Sequence, residues 1–193
     1  MTGEPRPSPR SDERRRTHER LLQAARSSFK EQGVEVSLRE VARLAGVGIG
    51  TLYRHFPTRE ALLEVLLGDH FRELREEAAR LKGTLPADEA LGKWLRSFAL
   101  GAAQVQGLPA SVVASLHDET SQLHAECEAM RAAGADLLAA AQQGGAVRRD
   151  VTATELYVLA AGVAWSASNV PTDPDLGDRL IDVVLRGIGA NAP

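Results

Sequence analysis

Apolar residues recur along the chain three and four positions apart, which is the spacing of one face of an α-helix. The first two stripes consist of Leu22, Ala25 and Phe29 and of Leu38, Val41, Ala42 and Ala45. No segment sustains the period-two alternation of β-branched residues that a half-buried strand shows, and many of the apolar positions are Ala or Leu. The pattern predicts an all-α protein.

Glycine, proline and capping residues mark where these helices begin and end. The expected helices cover about residues 12–32, 38–45, 48–56, 59–82, 88–106, 109–118, 121–143, 152–168 and 175–190. Gly33 and Gly46 suit the position just after a helix, and Ser37 with Glu40 is typical of a capping box. Thr58, which follows Pro57, is expected to cap the helix that begins at residue 59.

The second and third helices are short, and a tight glycine-containing turn separates them, which is the helix-turn-helix arrangement. We expect this motif within a domain of residues 14–60, followed by a larger helical domain of residues 61–193. The proline-rich residues 1–13 hold too little apolar surface to order themselves, so we expect a flexible arm there.

The two domains differ in charge. Residues 1–60 hold 12 Lys/Arg and 8 Asp/Glu, a net charge of +4, whereas residues 61–193 hold 11 and 18, a net charge of −7. A basic N-terminal segment joined to an acidic C-terminal domain favours contact between the N-terminal segment and a polyanion. The single cysteine excludes an intramolecular disulfide, and there is no apolar leader or membrane-spanning run of about 20 residues. We expect a soluble cytoplasmic protein with no membrane contact.

The stretch GVGIGTLYRHF, residues 46–56, has two interpretations. A dinucleotide-binding loop needs G-x-G-x-x-G between a strand and a helix, but here the third glycine comes one residue early and the preceding segment REVARLAG is an amphipathic helix. No GK[ST] follows, which excludes a P-loop. The second interpretation is a short helix that enters the major groove of DNA.

We expect this helix and its flanks to contact DNA through Ser37, Arg39, Gly48, Ile49, Gly50, Thr51, Tyr53, Arg54, His55, Thr58 and Arg59. Arg54 suits the O6 and N7 acceptors of guanine, and Thr51 suits thymine or either base type. Tyr53 and His55 are expected to contact phosphate oxygens. The flanking residues Ser37, Arg39, Thr58 and Arg59 are expected to do the same. For Ile49 two positions stay open, against a thymine methyl or against the protein's own core.

Residues 37–67, SLREVARLAGVGIGTLYRHFPTREALLEVLL, resemble the DNA-binding domain of the TetR family of bacterial transcriptional repressors. The capped helix, the A-G-V turn, the G-T-L-Y-x-H-F recognition helix and the P-T-R-E-A-L helix start match in register over about residues 14–67. Gly48-Ile49 stands where the family often has Ser-Lys, so phosphate binding there would depend on backbone N–H groups. The resemblance implies sequence-specific binding to a palindromic double-stranded operator and release by a small-molecule inducer.

The resemblance also implies a homodimer whose C-terminal domain holds a small-molecule pocket. The expected dimer contacts are Leu156, Leu159, Val163, Ala167, Leu180, Ile181, Val184, Leu185 and Ile188. The alternative is that these stripes face the core of a single protomer. The expected pocket residues, each of which could also be a core residue, are Trp94, Phe98, Val112, Val113, Leu116, His117, Leu123, Cys127, Met130 and Trp165.

Other chemistry fits the sequence less well. His117, His124 and Cys127 could ligate zinc only if one helix ran through them, but residues 118–121 look like a helix break and no fourth ligand stands out. Cys127 and His124 lack an orienting third group for catalysis. We therefore expect neither an enzyme nor a cofactor or metal. The competing interpretations are a helical module that binds other proteins and a helical enzyme without DNA binding.

Overall fold

A computed structural model describes residues 9–33, 35–104, 107–170, 173 and 175–190. Over these residues the chain forms nine α-helices, which are α1 (Pro9–Gln32), α2 (Leu38–Leu44), α3 (Ile49–His55), α4 (Arg59–Thr84), α5 (Ala87–Gln104), α6 (Ala110–His117), α7 (Gln122–Gln143), α8 (Ala153–Ser168) and α9 (Leu176–Gly187). The prediction of an all-α fold is confirmed. No described helix combines the length and the apolar character that crossing a membrane would require.

Most helix ends lie where the local sequence predicts them. Gly33 and Gly46, which follow α1 and α2, have φ of +75° and +67°, a conformation that costs a glycine nothing and other residues considerably more. The Thr58 hydroxyl accepts a hydrogen bond from the Ala61 N–H at 3.1 Å and so caps α4. Short-range signals therefore set these boundaries.

The N-terminal arm differs from the prediction. Helix α1 begins at Pro9, so residues 9–13, which were expected to belong to a flexible arm, are helical. The rest of the predicted arm, residues 1–8, lies outside the described residues, as do residues 105 and 106 at the expected end of α5.

The capping box predicted at α2 is wrong. The Ser37 hydroxyl accepts from the N–H of Arg39 at 3.3 Å and not from that of Glu40. The Glu40 carboxylate instead accepts two hydrogen bonds, of 2.8 and 2.6 Å, from the guanidinium of Arg43 one turn later. Because a two-point contact with an arginine competes for the same carboxylate, neither bond of the predicted box forms, and Ser37 caps α2 through the Arg39 N–H alone.

The chain divides into two compact units, residues 1–66 and 67–193. The division lies inside α4, whereas the domain boundary predicted after residue 60 lies at the first turn of that helix. The first unit has its own apolar core, formed by Leu21, Ala25, Val36, Leu38, Val41, Ala42, Ala45, Leu52, Phe56, Leu62 and Leu66. This core joins α1, α2, α3 and the start of α4, and it fixes the side of α3 that faces inward.

In the second unit, α5 packs against α7, α8 and α9. Trp94 of α5 is completely buried and its indole N–H donates to the carbonyl of Leu74 at 2.9 Å, so burial leaves no unsatisfied polar group. Gly134 of α7 allows this packing, because a Cβ at that position would lie 2.3 Å from the Trp94 ring. The tryptophan therefore anchors the centre of the second core.

Candidate nucleic-acid interface and cavity

The turn between α2 and α3 is short and tightly bonded. Ala45 and Gly46 end α2, and the Val47 N–H donates back to the Ala42 carbonyl at 3.0 Å. Helix α3 then begins after Gly48, whose backbone is extended and which lacks a side-chain capping bond. The left-handed conformation of Gly46 makes the reversal possible, so the tight turn predicted from the sequence is present.

Helix α3 has a buried and an exposed side. Leu52 and Phe56 are almost completely buried, and Ile49, one turn before Leu52, is half-buried and packs against the same core. The structure therefore places Ile49 against the protein's own core, which is one of the two positions left open by the sequence. Tyr53 and Arg54 point into solvent.

The two glycines at the start of α3 are not needed by the protein's own packing. A Cβ at Gly48 or Gly50 would meet no other atom within 4 Å, and neither residue has a positive φ. A glycine that the fold does not require is consistent with a contact that this chain makes outside itself.

The exposed arginines of α2 and α3 differ in their partners. Arg43 is held by Glu40 in an ion pair. Within the described part of the chain, Arg39 and Arg54 have no such acidic partner. Two cations without an ion pair to any described residue therefore lie on the two helices of the motif, where a polyanion would meet them.

The remaining predicted contact residues lie at the edges of this surface. The Ser37 and Thr58 hydroxyls are exposed but already accept from the backbone of α2 and α4. Thr51 and Arg59 are half-buried. Their roles in binding stay predictions, and the structure gives each of the two hydroxyls a capping role as well.

His55 packs toward α1. Its ring centroid lies 5.7 Å from that of His18, and His18 stacks on Phe56 at 4.9 Å. Burial lowers the pKa of His55, and the charges of His18, Arg14 and Arg54 lower it further. The imidazole thus joins α3 to α1 and is held in its neutral form over a wider pH range than a free histidine.

Acidification should therefore weaken the first unit. As pH falls through the unfolded-state pKa of about 6.5, the unfolded chain binds a proton that folded His55 resists, so the free energy of unfolding decreases until the lower folded-state pKa is passed. Denaturant titrations from pH 7.5 to pH 5 should show this decrease, and a His55→Gln variant should show a smaller one. Equal decreases in both proteins would mean that His55 does not contribute.

The second unit contains an apolar cavity of about 320 Å³. Four of the predicted pocket residues line it, namely Phe98, Leu116, Cys127 and Met130. The sequence analysis missed His70, Phe71 and Leu74 of α4, Gly101 and Ala102 of α5, Arg131 of α7, and Thr154, Tyr157, Val158 and Ala161 of α8. Phe71 and Leu74 belong to an apolar stripe along α4 that the sequence does show, but nothing in the local sequence indicates which surface that stripe faces.

The other predicted pocket residues lie elsewhere. Trp94 is buried behind the cavity wall, with its ring stacked on Phe98 at 5.6 Å. Val112 and Leu123 are buried outside the lining, and the exposed side chains of Val113, His117 and Trp165 do not reach the cavity. None of these six residues lines this cavity, because each is either buried away from its wall or exposed to solvent. A contact of any of them with a ligand stays a prediction.

Several predicted dimer contacts are core residues of the protomer. Leu156, Ile181 and Ile188 are buried, so these three side chains cannot reach a partner. Val163, Val184 and Leu185 are partly buried against the same core, and Ala167 and Leu180 are half-buried. The alternative that the stripes face the protomer's own core therefore holds for the three buried residues, whereas partner contacts of the half-buried ones stay a prediction. Leu159 is the exposed member of the predicted set.

A different set of apolar side chains is exposed on α8 and α9. Val158, Leu159 and Trp165 of α8 and Val183 of α9 have between 47% and 66% of their surface accessible. On α8 the exposed positions 158, 159, 162, 165 and 166 follow helical spacing and form one stripe. We call the side chains of Val158, Leu159, Trp165 and Val183 the exposed apolar face.

The helix break predicted near residues 118–121 is present, because α6 ends at His117 and α7 begins at Gln122. The ring nitrogens of His117 and His124 are hydrogen-bonded to the carbonyls of Val113 and Leu116. Burial raises the pKa of the Cys127 thiol. Within the described ranges no three His, Cys, Asp or Glu side chains come together as a metal site.

The first unit carries a short α2–turn–α3 motif with a polar outer side, and the second, helical unit contains an apolar cavity. This is the architecture of a helix-turn-helix transcriptional regulator. Comparisons with known proteins agree. A model of the tetR family of bacterial regulatory proteins matches residues 21–66, and one of the C-terminal domain of SbtR-like transcriptional regulators matches residues 86–190. The chain belongs to the TetR family of transcriptional regulators, and its first unit is the family's DNA-binding domain.

Solved structures resemble this chain over nearly its whole length. A TetR transcriptional regulator from Streptomyces coelicolor is 34% identical, covers 91% of this chain and 99% of its own, and superposes with a TM-score of 0.72. A TetR regulatory protein from Mycobacterium vanbaalenii is 29% identical, with coverages of 94% and 99% and a TM-score of 0.63.

Curated relatives match over a shorter span. The transcriptional repressor KstR of Mycolicibacterium smegmatis is 37% identical over 79 residues, which is 39% of this chain and 39% of the repressor. A Staphylococcus aureus regulator is 32% identical over 68 residues, which is 36% of its length. The chain thus aligns with less than two fifths of the length of each of these relatives.

Proposed function

We propose that this protein is a dimeric repressor that binds a palindromic operator and is released from it by a small molecule. The observation that carries the proposal is the exposed side of α3, which presents Tyr53 and Arg54 to solvent on a helix whose other side is fixed in the core. A helix held in this way can enter the major groove without rearrangement. Such a regulator acts in the cytoplasm, where the bacterial chromosome lies.

The contact roles follow from side-chain chemistry and exposure. Arg54 reads a guanine through its O6 and N7 atoms, and Thr51 contacts an adjacent base. Tyr53 and Arg39 reach phosphate oxygens, which position the protein without reading sequence. Gly50, whose missing side chain leaves open space, allows α3 to lie close to the groove.

The flanking residues have supporting roles in this proposal. Ser37, Thr58 and Arg59 contact phosphates at the starts of α2 and α4, and Gly48 leaves room for the DNA backbone. Ile49 supports α3 from the core side. His55 lies between α3 and α1 and contributes to phosphate binding only through its exposed edge.

The exposed apolar face supports a homodimer. Large apolar side chains grouped on two packed helices are costly in water, and a second copy of the chain would cover them by two-fold symmetry. Two recognition helices related by a two-fold axis match a palindromic DNA site, which a single head would bind weakly. The partner of this face is therefore another copy of the chain.

The cavity supports regulation by a ligand. Its wall includes His70, Phe71 and Leu74 of α4, and the same helix begins in the DNA-binding unit at Arg59. A ligand that binds better when α4 is placed unsuitably for DNA would shift the population away from the operator-bound form. A ligand with equal affinity for both forms would have no effect on DNA binding.

Selection of bound duplexes from a random DNA pool tests the proposal. The full-length chain is expected to return a palindrome, and affinity for that palindrome should fall steeply with salt because phosphate contacts release counterions. A scrambled duplex of the same composition is the control. Recovery of no palindrome by the folded dimer would contradict the proposal and favour a protein-interaction module or an enzyme.

A further inference from the structure

The size of the cavity limits its occupant. A dry protein cavity of about 150 Å³ accommodates one benzene molecule. The cavity lies between α4, α5, α6, α7 and α8 and has a volume of about 320 Å³, roughly twice that. A molecule with two fused six-membered rings therefore matches the space, whereas a single ring would leave much of it empty.

Aromatic rings form one wall. Phe98 and Tyr157 lie with their centroids 5.3 Å apart at an interplanar angle of 42°, and Phe71 also borders the cavity. Cys127 and Met130, which both carry a sulfur atom, also line the cavity. Rings and sulfur both gain more from an aromatic neighbour than from a saturated one of equal size.

This wall is fixed before any ligand arrives. Trp94 stacks on Phe98 from behind at 5.6 Å, and the Tyr157 hydroxyl donates to the Arg131 carbonyl at 2.5 Å. Gly134 lets Trp94 and Tyr157 lie against α7, since a Cβ at this position would come within 2.6 Å of the Tyr157 oxygen and 2.3 Å of the Trp94 ring. Because these rings already have their positions, an aromatic ligand would not have to order them.

The cavity offers little to a formal charge. Arg131 is the permanently charged residue of the lining, and its guanidinium is already 3.5 Å from Glu128 and 5.9 Å from the Tyr157 ring centroid. His70 packs closely on the backbone of α5, where a Cβ at Gly101 would overlap its ring. A buried ionised group without a dedicated partner is strongly disfavoured, whereas one hydroxyl could be satisfied by the Thr154 hydroxyl at the edge.

We infer that the cavity binds an uncharged aromatic molecule of two fused rings with at most one or two hydroxyl or carbonyl groups. The inference rests on the proposed function, because it takes this cavity to be the regulator's small-molecule site. It can nevertheless be tested without DNA, so a failure of ligand binding and a failure of operator binding are distinguishable.

Isothermal titration calorimetry of the full-length chain with four matched probes tests size, aromaticity and charge separately. We expect 2-naphthol to bind roughly three- to tenfold more tightly than decahydro-2-naphthol, which has the same carbon skeleton without aromatic rings. Phenol, which has one ring in place of two fused rings and therefore less apolar surface to bury, should bind at least about tenfold more weakly than 2-naphthol. The ionised 2-naphthoate should also bind at least about tenfold more weakly.

Two variants locate the binding. Ala161→Phe places a ring in the cavity and should abolish 2-naphthol binding, whereas Ala79→Phe, an exposed position on α4 outside the lining, should leave it unchanged. Phe98→Leu keeps an apolar wall but removes one ring, so it should reduce the preference for 2-naphthol over its saturated analogue even if Ala161→Phe does not fold.

Each contrary outcome removes a stated part of the inference. Tighter binding of 2-naphthoate would make the ligand an aromatic anion held by Arg131. Equal binding of the saturated analogue would overturn the aromatic class. If no probe binds to the folded chain, or if both phenylalanine variants behave alike, the cavity assignment is wrong, while operator selection would still test the DNA-binding function independently.

Discussion

Arg54→Ala is expected to weaken operator binding by about 2–6 kcal/mol in the dimer, since each bidentate arginine–guanine contact contributes about 1–3 kcal/mol and two copies act together. This corresponds to roughly 30-fold or more in affinity. Selection with the variant should return a palindrome that has lost its preference at one base pair in each half-site. Fluorescence anisotropy with duplexes that differ at that pair measures the effect directly.

Two arginines on α2 provide matched controls for Arg54. Arg43 is held by Glu40, so Arg43→Ala should change affinity only slightly. Arg39 is exposed without such a partner among the described residues, and Arg39→Ala should weaken binding to all sequences and reduce the steepness of the salt dependence. If Arg54→Ala left the selected motif unchanged, α3 would be in the wrong orientation in our proposal.

Trp94→Ala is expected to destabilise the second unit by about 3–5 kcal/mol, because it removes a completely buried ring and leaves a cavity. For a chain of this size the loss corresponds to a melting temperature about 6–20 °C lower. Trp94→Phe, which keeps a ring but removes the N–H that donates to the Leu74 carbonyl, should have an intermediate effect.

Differential scanning calorimetry of these variants should include Leu100→Ala as a control. Leu100 lies on the same helix but is 64% exposed, so its truncation should change the free energy of unfolding by no more than about 0.5 kcal/mol. A similar effect of Leu100→Ala and Trp94→Ala would contradict the central place of Trp94 in the core.

The DNA-binding unit could be predicted well from the sequence because its signals are local. A glycine at φ +67°, a threonine cap and apolar residues three and four positions apart each act within one turn of backbone. The capping box failed for a reason that the sequence also contains, since Glu40 had a second partner in Arg43 three residues later. Competition between two local contacts is decided by geometry that spacing alone does not give.

The ligand cavity and the dimer surface depend on how distant helices pack, and there the sequence was less informative. An amphipathic stripe shows that a helix side is buried, but not whether it faces its own core or a partner. Leu156 is buried in the protomer and Leu159, one turn along the same helix, is exposed. The available signal was that α8 is apolar on both sides, which is typical of a helix with two different contacts.

The two tryptophans of this chain lie in opposite environments, one fully buried in the second core and the other, Trp165, 58% exposed on α8. Indole emission shifts to longer wavelength in polar surroundings, so the fluorescence of a single protomer combines a blue component from the core with a red component from the exposed apolar face. Acrylamide reaches only the red component, which should shift to the blue and become less accessible when a second copy covers that face. The natural sequence thus carries two optical reporters, one for the wall behind the cavity and one for the surface where a second copy would bind.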